Sequence, residues 1–149
     1  MPRTVIPLPD HFSFETSITI RVTDLNYGGH LSNEKIQGYL HEARVHFFHH
    51  LGLSEMNIGE HTSLIQGDAA MVFQAEGYLG DSLTVQLAVE DFGRSSFDVV
   101  YQLYNKTRNQ VLASAKTRLV CYSYSEKKTL PIPNSFINQC ADLTRVKAL

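Results

Sequence analysis

The sequence predicts an α+β protein: a curled antiparallel β-sheet wrapped around one long central α-helix. Three observations carry that expectation. Several runs alternate apolar and polar residues with period two, one run after residue 33 repeats with a helical period instead, and the connections that follow are short, turn-rich segments of the kind that join neighbouring antiparallel strands.

Taken in order, Phe12, Phe14, Ile18, Ile20 and Val22 fall on even positions with polar residues between them, the pattern of a strand with one buried face. From about Asn33 the period changes. Ile36, Leu40, Ala43, Phe47 and Leu51 share one side of a helix that should stop near Gly52, and Gly38 is expected to permit a close backbone approach on another side. After a loop around residues 53–62, alternation returns at Met71, Phe73 and Ala75, at Leu83, Val85, Leu87 and Val89, and at Phe97, Val99, Tyr101 and Leu103. Gly, Asn and Asp in 77–81, 90–95 and 105–110 supply the turns. A long last strand runs from Val111 to about Tyr124. The Pro-rich stretch 131–135 then breaks the sheet, and Phe136, Ile137, Cys140, Ala141 and Leu143 predict a short C-terminal helix. No repeat or linker interrupts the pattern, so residues 1–149 read as one domain. A single helix covering a whole sheet leaves open edges, and edge pairing of two subunits makes a homodimer the expected state.

Composition narrows the function. The chain has 149 residues, 43% hydrophobic and 19% charged, which suffices for one core. A formal charge of −2 without any basic run argues against nucleic acid and against a membrane surface as partner. No signal-type apolar segment and no bilayer-length run occur, which points to the cytoplasm. Cys121 and Cys140 form no CxxC pair and read as reduced, buried thiols. The histidine-rich stretch 41–50 invites a metal, but a His-Glu-x-x-His motif would need histidine where Val45 stands. His46 and His50, four apart, lack a completing ligand nearby, so no metal and no cofactor are expected.

Chemistry concentrates in residues 23–34, "TDLNYGGHLSNE". Locally this is a turn and a helix cap, with Asp24 and Asn26 as turn formers and Ser32 or Asn33 as N-cap. The same helix start is also a carbonyl-binding site in waiting, because its leading N–H groups are unsatisfied and its dipole favours developing negative charge. Gly28 and Gly29 would let a ligand approach the backbone. His30 reads equally as a hydrogen-bonded structural histidine or as part of such a site.

Gly29-His30-Leu31-Ser32-Asn33, followed by Tyr39-Leu40 and Glu42-Ala43-Arg44, resembles the opening segment of the hotdog-fold acyl-CoA thioesterases of the 4-hydroxybenzoyl-CoA thioesterase type, and Gly80-Asp81 and "GRSSF" at 93–97 extend the likeness over about residues 12–125. The resemblance implies a hotdog fold, dimeric or tetrameric, with active sites at the subunit interface and an acyl-CoA substrate hydrolysed to free acid and coenzyme A. It implies catalytic roles within Asp24, Asn26, His30 and Glu42 and substrate contacts at Tyr27, Gly28, Gly29 and Asn33. Many relatives carry their catalytic carboxylate four residues before the position of His30, where this chain has Asn26. An amide is neither nucleophile nor base at neutral pH, so the carboxylate role is expected to pass to Asp24, with Asn26 and His30 orienting water or the acyl carbonyl and Glu42 as a second acid. For Glu42, pairing with His46 or across an interface is the structural alternative. The other reading of the same feature is a non-catalytic acyl-thioester or acyl-carrier binding protein, favoured by Asn26. A hydratase loop would need a proline and closer Asp–His spacing, and Gly28-Gly29 lacks the Lys-Ser/Thr of a phosphate loop. Arg94, Lys106, Arg108, Lys116 and Arg118 fit either solvated sheet faces or contacts to coenzyme A phosphates.

Overall fold

The computed structural model describes residues 4–149. Its elements are β1 (His11–Phe12), β2 (Phe14–Thr19), a single 3-10 turn (Val22–Asp24), α1 (Asn33–His50), β3 (Ser63–Phe73), β4 (Ser82–Glu90), β5 (Ser96–Asn105), β6 (Gln110–Ser123), β7 (Lys128–Thr129), α2 (Asn134–Ala141) and β8 (Val146–Lys147). The main sheet is antiparallel in the order β2-β4-β5-β6-β3, with β7 on the end of β6. The strand before α1 and the strand after it therefore form opposite edges, and α1 lies across the sheet between them.

The helix holds its place through one stripe. Ile36, Leu40, Ala43, Phe47 and Phe48 are almost wholly removed from solvent and pack with Leu83, Val85, Leu87, Val99, Tyr101, Leu103, Ala113 and Ala115 from the three central strands. Each such large side chain contributes roughly 1.5–3 kcal/mol of burial. Phe48 widens the stripe because α2 closes the end of the core: Phe136 stacks 6.0 Å from Phe48 and 5.1 Å from Phe97, centre to centre. One charge is built into this core. Arg44 gives Nε to Glu55 at 2.9 Å and a terminal N–H to the Tyr101 hydroxyl at 3.0 Å, and that hydroxyl is 2.6 Å from Thr117 Oγ1. Burial opposes the Arg44 charge, but Tyr101 and Glu55 more than offset it and hold the guanidinium protonated.

The α+β class, the long helix and the strand series agree with the sequence expectation, and the departures have physical causes. The first predicted strand is divided at Ser13 and ends at Thr19, and Val22 is exposed in the 3-10 turn rather than buried on the sheet. Alternation predicts one buried face for β4 and β5, yet Gln86, Ala88, Val100 and Gln102 on the other face are buried too. The two chain ends cover them: β1 pairs with β8, Phe12 packs on Ala88 and Val100, and Gln86 and Gln102 donate to the carbonyls of Lys147 and Leu149. These glutamine bonds to the C-terminal segment satisfy polar groups that would otherwise count against burial. Ala75 lies beyond β3 and Leu143 beyond α2. Gly38 is exposed, and nothing comes within 4 Å of where its Cβ would stand, so no close approach occurs there within the chain. The two-residue ladders β1, β7 and β8 are too short to leave a periodic signal.

Candidate active site

The loop from Ile20 to Asn33 is built by backbone pairing at both ends. Ile20 N–H donates to Asp81 O and Gly80 N–H to Ile20 O, while Ser32 N–H returns to Asp24 O at 2.9 Å. At the tip, Asn26 N–H donates to His30 O and Gly29 N–H to Asn26 O, a tight reversal that places Gly29 at φ +79°, where a side chain would be strained. The returning limb is stitched to the segment after β3: Leu31 N–H donates to Gly77 O at 2.7 Å, and His30 bridges to Tyr78. That pairing sets His30 against residues far away in sequence.

The hydrogen bonds at the tip fix the proton on His30. Gly28 N–H donates to Asn26 Oδ1 at 2.9 Å, which orients the amide so that its NH2 faces His30 Nδ1 at 3.3 Å. An NH2 group only donates, so Nδ1 accepts and the neutral ring carries its proton on Nε2. His30, whose Nε2 lies 3.6 Å from Glu76 Oε1, lines a cavity of about 520 Å³ together with Asn26, Ser32, Asn33, Gln74, Glu76 and the end of β3. A Cβ at Gly28 would stand 2.8 Å from this nitrogen, so glycine is what leaves the ring its place. Ser32 and Asn33 bring the start of α1 to the cavity lining. Ser32 has the extended backbone of an N-cap but its hydroxyl makes no cap bond; Lys35 N–H donates to Ser32 O at 3.0 Å, and the Asn33 and Glu34 amides are left to a ligand or solvent. A second cavity of about 730 Å³, lined by Val5, Ile6, Met71, Val72 and Ser114, shares Phe73 and Gln74 with the first.

Of the residues singled out from sequence, Asn26, His30 and Asn33 line the polar cavity. Gly28 and Gly29 are not among its lining residues, Gly28 lying against the His30 and Asn26 side chains, and Tyr27 projects fully into solvent. Glu42 is exposed on α1 and outside the cavity lining; His46, its expected partner, is 3.1 Å from Thr16 Oγ1 instead. Asp24 is buried and turned away from the cavity: its Oδ2 accepts from the Tyr39 hydroxyl at 2.6 Å and from Arg21 N–H at 3.0 Å. Sequence reasoning missed Phe73, Gln74 and Glu76. They read locally as the end of a strand and a turn, and the sheet order alone brings them to His30.

Two carboxylates brace this end of the fold. Burial of Asp24 disfavours its charge, but the Tyr39 and Arg21 hydrogen bonds and the Arg21 and Lys35 charges outweigh that and lower its pKa below 3.8. Asp81 is alike: burial is overcome by Arg108 at 2.7 Å, Asn105 at 2.8 Å and Tyr78 N–H at 3.0 Å. A depressed folded value means stability that is complete above about pH 3.8 and is lost as pH falls through the folded value. Asp24→Asn should therefore cost about 1.5–3 kcal/mol at pH 7 and much less near pH 3, read from urea denaturation at both. An equal cost at both would contradict the ionised, hydrogen-bonded Asp24.

Among the described residues no three His, Cys, Asp or Glu side chains converge as a metal cluster would require, and no helix is long and apolar enough to cross a membrane. Of the five basic side chains considered for phosphate, Arg108 is held by Asp81 and lies 4.3 Å over the Tyr78 ring, and Arg118 is held by Asp91 and Asp98.

A curled antiparallel sheet around one long helix, with a polar cavity at that helix's N-terminus, is a hotdog-fold protein. The chain belongs to the thioesterase-like superfamily, whose family model matches residues 20–140. It is similar to a 1,4-dihydroxy-2-naphthoyl-CoA hydrolase from Synechocystis, 31% identical over 75 residues, which are 50% of this chain and 54% of that protein. The match thus spans about half the length of that curated relative. Among solved structures, a 1,4-dihydroxy-2-naphthoyl-CoA thioesterase from Synechocystis superposes with a TM-score of 0.78 at 26% identity, over 89% of this chain and 97% of that one. A DHNA-CoA thioesterase from Staphylococcus aureus shares the fold at 17% identity, with a TM-score of 0.73 over 83% of each chain.

Proposed function

We propose that the protein is an acyl-CoA thioesterase that hydrolyses an acyl thioester to free acid and coenzyme A. The observation that carries this reading is the uncapped N-terminus of α1 opening into a cavity that Asn26, His30 and Asn33 line. Thioester hydrolysis passes through a tetrahedral oxyanion, and donors aimed at that oxygen supply most of the stabilisation. The Asn33 and Glu34 amides at the start of α1 and His30 Nε2–H are such donors, with Asn26 holding the histidine in the donating tautomer. The neighbouring cavity under Ile6, Met71 and Phe73 suits the acyl part, aliphatic or aromatic.

The chain acts as one domain, in the cytoplasm, as a homodimer or homotetramer. The edge of β3 supports that assembly: it pairs with β6 on one side only, its residues 66–69 are exposed or nearly so, and its Met71 and Phe73 border the cavities, so a partner strand there would also wall the site.

Thiol release from a panel of acetyl-, octanoyl-, palmitoyl-, benzoyl- and 1,4-dihydroxy-2-naphthoyl-CoA tests the activity. Turnover of at least one thioester is expected. A second reading, a non-catalytic acyl-thioester binding protein, is favoured by Asn26 at the position of the relatives' acid and by the engagement of Asp24 with Tyr39. Binding of these thioesters without turnover of any would establish it.

A further inference from the structure

Resting on the hydrolase reading, we infer that Glu76 is the general base of this site, replacing from the far side of the cavity the carboxylate that Asn26 lacks. Among the residues lining the cavity, Glu76 carries the one carboxylate. Its Oε1 stands 3.6 Å from His30 Nε2, too long for a direct hydrogen bond, and both residues line the cavity. A water or a substrate oxygen between the two groups would be shared by a donor and an acceptor.

The carboxylate is held in place. Its second oxygen, Oε2, accepts from the Tyr78 hydroxyl at 3.0 Å. The Tyr78 ring lies under the Arg108 guanidinium at 4.3 Å, and Arg108 is anchored on buried Asp81, which also takes Tyr78 N–H. Tyr78 meets the His30 ring edge-on at 6.4 Å, and the His30–Tyr78 backbone bridge locks the two loops together. A chain of contacts from a buried aspartate to a cavity-facing carboxylate is more than a solvated surface glutamate needs. Asp24 and Glu42 offer no comparable position, since neither lines the cavity.

The chemistry balances with water as the only co-reactant. Glu76 removes a proton from water as the water oxygen bonds to the thioester carbonyl carbon, and the carbonyl electron pair moves onto oxygen, where the α1 amides and His30 Nε2–H receive it. On collapse the C=O bond re-forms and the C–S bond breaks with its electrons on sulfur. The sulfur takes the proton back from Glu76, leaving acid, thiol and a regenerated carboxylate.

Glu76→Gln keeps size and polarity at an exposed side chain, so it should fold as the wild type does. On any thioester that the wild type turns over, kcat should fall by at least about 10²-fold with KM within about threefold, because a general base acts in the transition state and contributes little to ground-state binding. Glu76→Asp should retain part of the rate, and Tyr78→Phe should reduce it mildly without abolishing it. A single turnover in H2-18O should label the product acid and leave the Glu76 peptide unlabelled. Wild-type turnover with Glu76→Gln within about threefold in kcat overturns the assignment and leaves the hydrolase reading standing. Label in the Glu76 peptide overturns the base role in favour of a nucleophile. Absence of wild-type turnover on the whole panel overturns the hydrolase reading, and the assignment with it.

Discussion

His30→Ala is expected to lower kcat by about 10²-fold on a thioester that the wild type hydrolyses, with little change in thermal stability. The magnitude is that of removing one donor from an oxyanion site. The ring's Nε2–H is available for that role because Asn26 occupies Nδ1 and because Glu76 stands at 3.6 Å rather than at bonding distance. Stability should hold because the side chain is about one-third exposed and makes no contact on which the core depends. If Glu76 and His30 act on one water and one carbonyl, their losses do not add, and the double variant Glu76→Gln/His30→Ala should lie close to the slower single variant. A His30→Ala enzyme with unchanged kcat and a higher KM would make this histidine a binding contact and nothing more.

Arg44→Ala is expected to destabilise the fold by about 3–5 kcal/mol, the range for removing one partner of a buried, hydrogen-bonded ion pair. Arg44 is 5% exposed on the inward face of α1, and its loss leaves Glu55 without its closest cation and the Tyr101 hydroxyl with Thr117 alone, beside a cavity the size of the missing side chain. Arg44→Met should cost less, because methionine fills much of that volume and Glu55, partly exposed, recovers water. Urea denaturation at pH 7 reads both. An Arg44→Ala cost below about 1 kcal/mol would mean that the Arg44–Glu55–Tyr101 network is not closed as described.

Those two residues also mark the reach of sequence reasoning. Arg44 sits one position from Ala43 on the helix and gives no sign in its own segment that it enters the core, because Tyr101 and Thr117 come from strands of a distant part of the chain. The helix itself was legible, since Ile36, Leu40, Ala43 and Phe47 repeat with its period and all four are buried. The alternating strands were legible for the same reason, although alternation alone could not reveal that the chain ends cover the outer face of β4 and β5. Asn26, His30 and Asn33, which line the cavity, lie in one contiguous loop, which local pattern can mark. Glu76 could not be found that way. It reaches His30 only through the pairing of Leu31 with Gly77 and of His30 with Tyr78, a fact of sheet order rather than of any short motif. The burial of Asp24 was hidden for a related reason: an acid in a polar loop has the composition of a base, and its bond to the Tyr39 hydroxyl, 15 positions on, is not marked in its own segment.

The central claim is that the N-terminus of α1 and His30 receive the thioester carbonyl. A crystal structure with a non-hydrolysable acyl-CoA analogue, its thioester sulfur replaced by methylene, tests this most directly. The account places the analogue's carbonyl oxygen at hydrogen-bond distance, about 2.7–3.1 Å, from a first-turn amide of α1 and from His30 Nε2, with the acyl group directed under Met71 and Phe73. An analogue bound with its carbonyl away from both donors would contradict it.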